Sequence, residues 1–468
     1  SIIWNNTRNS GTITALTGGS QSDFRVSHSI LNDNTENFSG DQYASNIWHY
    51  EPQFVDYNNN DFRIKSTGVG VNGGNSALYS THGTLVTNVD YYGNNRTEGT
   101  IDIGAFEHQT PINRAAAYLY VDKNVAGGNG SGDSFVNAIK ELSDVMQYTN
   151  IRTLNSSSSV PSTYRDNFNG VSIYVAKGEY TPHYSPNNFN HASSADLNSF
   201  LLSKNVQIIG SFAPKDGIEN YNDRNLKNHN SVLKGNNHKH LVIAAGGNSS
   251  GAVLDGFYVT GGNASSGSNI DVNGESLNAS FGGGIMVQGA EISLKNLVVR
   301  GNKAKDRGAG IYVEKSNGKI KISNSVIDHN IAGTSNDQGE GSGIYLNNGS
   351  QAIVVNTTVT QNITNRTSGG GALHVKDHGK FKIYNSIVWD NRNADATPKL
   401  LNLTGGDDSD FEVYNTIVNA NSNPDGISGD GHNDGENSGK INFTTHNPMF
   451  VLQLMLICIK MLDWQVEK

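Results

Sequence analysis

The chain of 468 residues carries 34 basic and 43 acidic side chains, a formal net charge of −9, and only 35% hydrophobic residues. No Lys/Arg cluster of the kind nucleic acid requires is present, which excludes that class of partner. The single cysteine, Cys458, excludes an internal disulfide framework, and the one long apolar run, 452–462, is too short to span a bilayer.

Gly (53) and Asn (63) exceed ordinary usage, and short Val/Ile/Tyr runs alternate with Gly, Asn and Ser. Such a chain predicts many short strands around a thin, elongated core. In chain order, "SIIWNN" at Ser1 reads as the middle of a strand whose anchoring residue lies just before it. "VSHSILNDN", Val26 to Asn34, repeats the pattern with His28 in the anchor place. "EPQFVD" (Glu51) and "DYYGNNRTEGTIDIGAFEH" (Asp90 to His108) follow. Residues 1–108 are therefore expected to hold the last coils and end module of one solenoid, with 109–117 as a linker.

A second copy is expected over 118–451. Phe135, Ile139, Leu142 and Met146 make one apolar stripe and predict a helix over about 133–148, capped by Asp133 or Ser134. That helix is expected to blunt the open edge of the first coil. Six aligned segments come next. Gly256, Asn296, Asn324, Asn356, Asn385 and Asn415 occupy one anchor position, spaced by 40, 28, 32, 29 and 30 residues. A second Asn stands six residues after each anchor Asn: Asn302, Asn330, Asn362, Asn391 and Asn421. Three residues after each anchor the side chain is always Val or Ile. Between anchors lie "GGGIMV", "GAGIYV", "GSGIYL" and "GGGALHV".

No 3.6-residue period occurs within the repeat, so helical solenoids are excluded. The reading is an all-β, right-handed parallel β-helix in which like residues stack on like, ~4.8 Å per coil. The Asn columns are expected to form amide ladders and to supply left-handed backbone at corners. The tail 452–468 departs from the pattern, and a frameshift near codon 451 is expected to account for it.

"YVDKNVAGGNGSGDSFVNAI", "IYVAKGEYTP", the "GGGI" coils, "PQFVD" with "NDFRI", and "IDIGAFE" resemble bacterial secreted β-helix proteins of the pectate-lyase-like superfamily. The closer resemblance is to the group ending in a choice-of-anchor Q domain. The "GGGI" coils are also similar to polymorphic outer-membrane-protein repeats. The resemblance implies export to the extracellular space or bacterial cell surface.

Chemistry is sparse. Arg300 above Asp328, with Asp390 two coils on, are the catalytic candidates for a lyase using a base and metal-binding carboxylates. Trp389, His329 and Gln361 are candidates for holding a sugar. A surface ion pair with one exposed aromatic is the plainer reading, and paired aspartates for hydrolysis are missing. Asp407, Asp408 and Asp410 are the candidate Ca²⁺ ligands, against solvated acidic loops as the commoner explanation. No other cofactor is expected. The function expected is non-catalytic adhesion or binding of an extracellular polysaccharide or cell-surface partner by a monomer. A polysaccharide lyase or hydrolase, and a structural stalk, are the alternatives.

Overall fold

The computed structural model describes residues 1–418 except 5, 7–23, 32–41, 78–87, 97–98, 155–167, 192–193, 266, 317–318, 335–338, 367–369, 395–402 and 406–409, together with 427–428 and 442–444. Asn421, Asp407, Asp408 and the tail 452–468 lie outside the described residues. Asp410 begins a strand, and its side chain is outside them too.

The chain winds as a parallel β-helix, right-handed as the crossover rule for parallel strands requires. One coil shows the construction. Strand Ile292–Lys295 bends at Asn296 into Val298–Arg300, turns through Lys303–Ala304, and returns by Ile311–Glu314. The next coil lies in register on it, pairing Leu294 with Ile322, Val299 with Ile327, Ala304 with Ala332 and Val313 with Leu346. Stacking builds sheets of 17, eight and five strands among the described residues.

Burial drives this register. Val259, Val299, Ile327, Val359, Val388 and Val418 form one inward column, none more than 5% exposed. A slip of one residue would turn the whole column to water, at about 1.5–3 kcal/mol per side chain.

The two Asn columns do different work. Asn296, Asn324, Asn356, Asn385 and Asn415 all have φ between 47° and 53°, the left-handed backbone that bends each long strand. Asn tolerates it better than any other residue with a β-carbon. His28 has φ 47°, as its anchor place predicts. Asn302, Asn330, Asn362 and Asn391 are instead fully buried. Each of the first three donates its amide to the next at 2.9–3.0 Å. Each also donates to a carbonyl of a neighbouring coil, such as Asn330 Nδ2 to Val299 O at 2.9 Å.

Behind the bend runs a hydroxyl ladder that the spacing analysis did not isolate. The backbone N–H of Leu297 donates to Ser325 Oγ, Thr357 to Ser386 Oγ, and Ser386 to Thr416 Oγ1, at 3.1–3.4 Å. Its signal was present as Asn-Ser or Asn-Thr at four anchors. Glycine enters the return strand because the coils touch there: a β-carbon on Gly283 would lie 2.0 Å from the Lys303 carbonyl oxygen.

The capping helix is Leu142–Thr153, not 133–148. Its N-cap, Glu141, makes no side-chain cap, and Asp133 and Ser134 play no capping role. Residues 132–139 satisfy a strand edge instead. Tyr120 N–H donates to Gly132 O, Ile139 N–H to Tyr120 O, and Asp122 N–H to Ile139 O, at 2.9–3.0 Å. Unpaired groups on the edge of Tyr118–Val121 thus outweigh the helical stripe. Phe135 packs with Ala176, Ile209 and Phe212, away from the helix. The helix covers a different edge, where Asn150 Nδ2 donates to Leu201 O at 2.7 Å.

The opening residues form three parallel strands, Ile2–Ile3, Phe24–Leu31 and Gln42–Trp48. They pair Ile2 with Ile30 and Ile30 with Trp48. The antiparallel pair Phe54–Asp56 and Asp61–Ile64 follows. This segment packs on the capping helix: Lys65 Nζ donates to Asp144 Oδ2 at 2.8 Å, and Gln53 Nε2 to Asp144 O at 3.2 Å. One apolar cluster runs from Ile30 and Trp48 through Val145 and Ile151 to Val418.

Candidate functional site

The residues singled out from sequence fall at two places on the solenoid face. Arg300, Asp328, Thr360 and Trp389 occupy one register column on four successive coils. Arg300 therefore stands beside Asp328, whereas Trp389 is three coils away, ~14 Å. Arg300 Nε donates to both Asp328 oxygens at 2.9 and 3.1 Å. His329 Nδ1 sits 3.0 Å from Asp328 Oδ2. The Asp328 side chain is 3% exposed. Burial alone would raise its carboxyl, but hydrogen bonds from His329 and Arg300 hold it below its ordinary value. A carboxylate so enclosed offers no face to a metal ion and pins one coil to the next.

His329, Gln361 and Asp390 form a second column. Their φ values of 53°, 54° and 53° continue the corner that Gly301 makes at 66°. Each stands one residue before a ladder Asn, so turning the corner accounts for their shared position. Asp390 is committed to Arg392, 3.3 Å away. Trp389 is half-buried on the outer face of the sheet. No group of three His, Cys, Asp or Glu side chains able to hold a metal ion occurs among the described residues.

The structure places a cavity elsewhere, where the opening segment meets the capped end. A groove of about 720 Å³ lies between Trp4, Phe54 and Tyr57 on one side and Tyr184, Asn187, Asn188 and His191 on the other. Its volume falls within the ~300–1,000 Å³ of small-ligand sites. The chain reaches it from two directions. The bend after Phe54–Asp56 is a 3-10 turn, Tyr57–Asn59, whose N–H at Asn59 donates to Asp56 Oδ1 at 3.3 Å. Asn60 closes it with φ 61°. This sets Tyr57 44% exposed, stacked 5.9 Å from Phe54. Opposite, Ser185 and Asn190 close a loop whose Ser185 N–H donates to Asn190 O at 2.8 Å, leaving Asn187 and Asn188 exposed.

Two ion pairs hold the walls together. Glu51 N–H donates to Asn190 Oδ1 at 2.6 Å, and His191 N–H donates to Glu51 Oε2 at 3.0 Å. His191 Nδ1 lies 2.5 Å from the same oxygen, and that hydrogen bond raises the imidazole pKa above its ordinary value. Beneath, Asp144 accepts from Lys65 and, at 2.6 Å, from Tyr184 Oη. Burial and this contact drive the Tyr184 phenol well above its usual range.

A second cavity of about 670 Å³ shares Trp4, Phe54 and Tyr57 and extends to Phe62, Ala105 and Phe106. Sequence reasoning missed both. The segments "EPQFVDYNNNDF" and "HYSPNNFNH" are each aromatic and rich in Asn. They lie over a hundred residues apart with no repeat register to join them.

No protein-family model matches the chain, and no curated protein matches it. Among solved structures, the crystal structure of pectate lyase Pel9A aligns with a TM-score of 0.38 and 15% identity, over 65% of this chain. The chain spans 63% of that protein's length.

Proposed function

We propose that this is an extracellular or cell-surface protein that binds a glycan without cleaving it, and that the groove between Tyr57 and Asn188 is the binding site. One observation carries the reading: half-exposed aromatic rings face exposed amides across an open groove. Sugars present an apolar face and a hydroxyl rim, and this pairing suits both. Cleavage of a glycosidic bond by the common route needs two carboxylates flanking it. Among the described lining residues of both cavities Glu51 is the one carboxylate, and it is bonded to His191.

The test pairs retention with chemistry. The protein is run through gels containing mixed-linkage β-glucan, xylan, galactomannan or polygalacturonate, and parallel incubations with Ca²⁺ are followed for new reducing ends. The reading expects retardation by at least one polymer, weakened in Tyr57→Ala, with no new reducing ends. Release that disappears in Arg300→Ala would make the protein an enzyme acting on the sheet face. Release lost in Glu51→Gln would place catalysis in the groove. Passage through every gel without retardation would leave the structural stalk.

A further inference from the structure

We infer that the two cavities form one continuous track for an internal stretch of a neutral polysaccharide chain, which deepens and rests on the glycan-binding reading above. Trp4, Phe54 and Tyr57 wall both cavities, so a chain leaving one enters the other. The far cavity ends at Phe106, whose ring lies 5.0 Å from Tyr92 and 5.6 Å from Tyr91. Those tyrosines are 60% and 76% exposed. The track therefore runs out over open aromatic surface, where a chain can continue, and a site for a chain end would be closed there.

Charge selects the ligand class. Among the described lining residues the basic side chains are Lys65 and His191, each held by a carboxylate, Asp144 and Glu51, and the Ser1 amino group at the far cavity donates to Ser29 Oγ. Beyond the track, Arg63 near Tyr92 is likewise paired with Asp61. A uronate chain would have to break one of these pairs to find a counter-charge, and would meet Glu51 unshielded if it took His191. A neutral chain meets the exposed amides of Asn58, Asn187 and Asn188 and the ring faces without that cost.

Isothermal titration of the whole protein with di- and hexasaccharides of β-glucan, xylan and mannan, and with hexagalacturonate, tests this. One neutral hexasaccharide should bind about tenfold tighter than its disaccharide or better. Phe106→Ala should remove that gain and leave the disaccharide unchanged; Phe62→Ala, which deletes a ring packed edge-on against Phe54 and Tyr57, should also remove it. Phe62 is 43% exposed, so its loss spares the fold. Equal affinity for short and long neutral chains, or tighter binding of hexagalacturonate, would overturn the track while leaving glycan binding standing. No binding of any saccharide would remove both.

Discussion

Asn330 donates its side-chain amide to Asn362 Oδ1 at 2.9 Å, and the same oxygen accepts the backbone N–H of Asn330 at 3.1 Å. Each ladder Asn thus satisfies the backbone of the coil before it and the amide beside it. Removing Asn330 strands buried groups on both neighbours, including the carbonyl of Val299. At about 1–3 kcal/mol per unsatisfied group, Asn330→Ala should lower stability by about 3 kcal/mol or more. Asn356, at the exposed bend, donates its side-chain amide to Asn324 Oδ1 at 3.2 Å. Asn356→Ala should cost about 1 kcal/mol, chiefly from left-handed backbone, and Asn356→Gly close to nothing. Urea unfolding of the three variants measures the contrast.

The Arg300–Asp328 pair should behave as a clamp between coils. Arg300→Ala leaves the Asp328 carboxylate buried with only His329 beside it. Stability should fall by about 2 kcal/mol, below the full cost of breaking a buried pair because Arg300 is 27% exposed. Glycan retention should be unchanged at a temperature where the variant is folded. Loss of retention without loss of stability would return the sheet face to candidacy as the site.

Asp144 joins the opening segment to the cap through Lys65 and Tyr184. Asp144→Ala leaves a phenol and an ammonium without their acceptor and should free the opening segment first. Limited proteolysis should show early cleavage N-terminal to Gln109, with the coils beyond Tyr118 persisting. Simultaneous loss of both regions would contradict a junction that rests on this carboxylate.

Stability should decline from about pH 6.5 to mildly alkaline pH; below 6.5 His240 and His374, whose imidazoles burial pushes down to about 4, act in the opposite sense. Burial pushes Glu107 up to about 8 and Asp102 up to about 6. Glu107 Oε1 is buried without a hydrogen-bond partner, which suits the protonated carboxyl. A group whose folded pKa is raised contributes stability below its unfolded pKa and loses it as pH rises through the folded one. For Glu107 the window runs from about 4.5 to about 8. His191, raised by Glu51, works in the same direction as pH climbs past 6.5. Thermal unfolding midpoints should therefore fall between about pH 6.5 and 8. Glu107→Gln should flatten most of the dependence, and His191→Gln the part that remains near neutrality.

What repeats was legible, and what does not repeat was not. The Val259–Val418 column, both Asn columns and the place of His28 follow from fixed spacings, because stacking turns sequence period into spatial contact. The helix was legible only in part. Its apolar stripe was real from Leu142 onward, yet Phe135 and Ile139 answer to a strand edge that no local pattern reveals. His329 and Gln361 read as sugar-holding candidates and Asp390 as a catalytic carboxylate, yet the three share one column, and a shared corner conformation also makes columns. The groove was invisible for the opposite reason: Tyr57 and Asn188 come from unique segments, joined only by the docking of one on the other through Glu51, Lys65 and Asp144.

The most direct measurement is hydroxyl-radical footprinting of the aromatic side chains, with and without the polymer that most retards the protein. The account predicts protection of Tyr57, Phe62 and Phe106, with Trp389 reacting as in the free protein. Protection centred on Trp389, with Tyr57 and Phe62 unchanged, would contradict it and move the binding site to the sheet face.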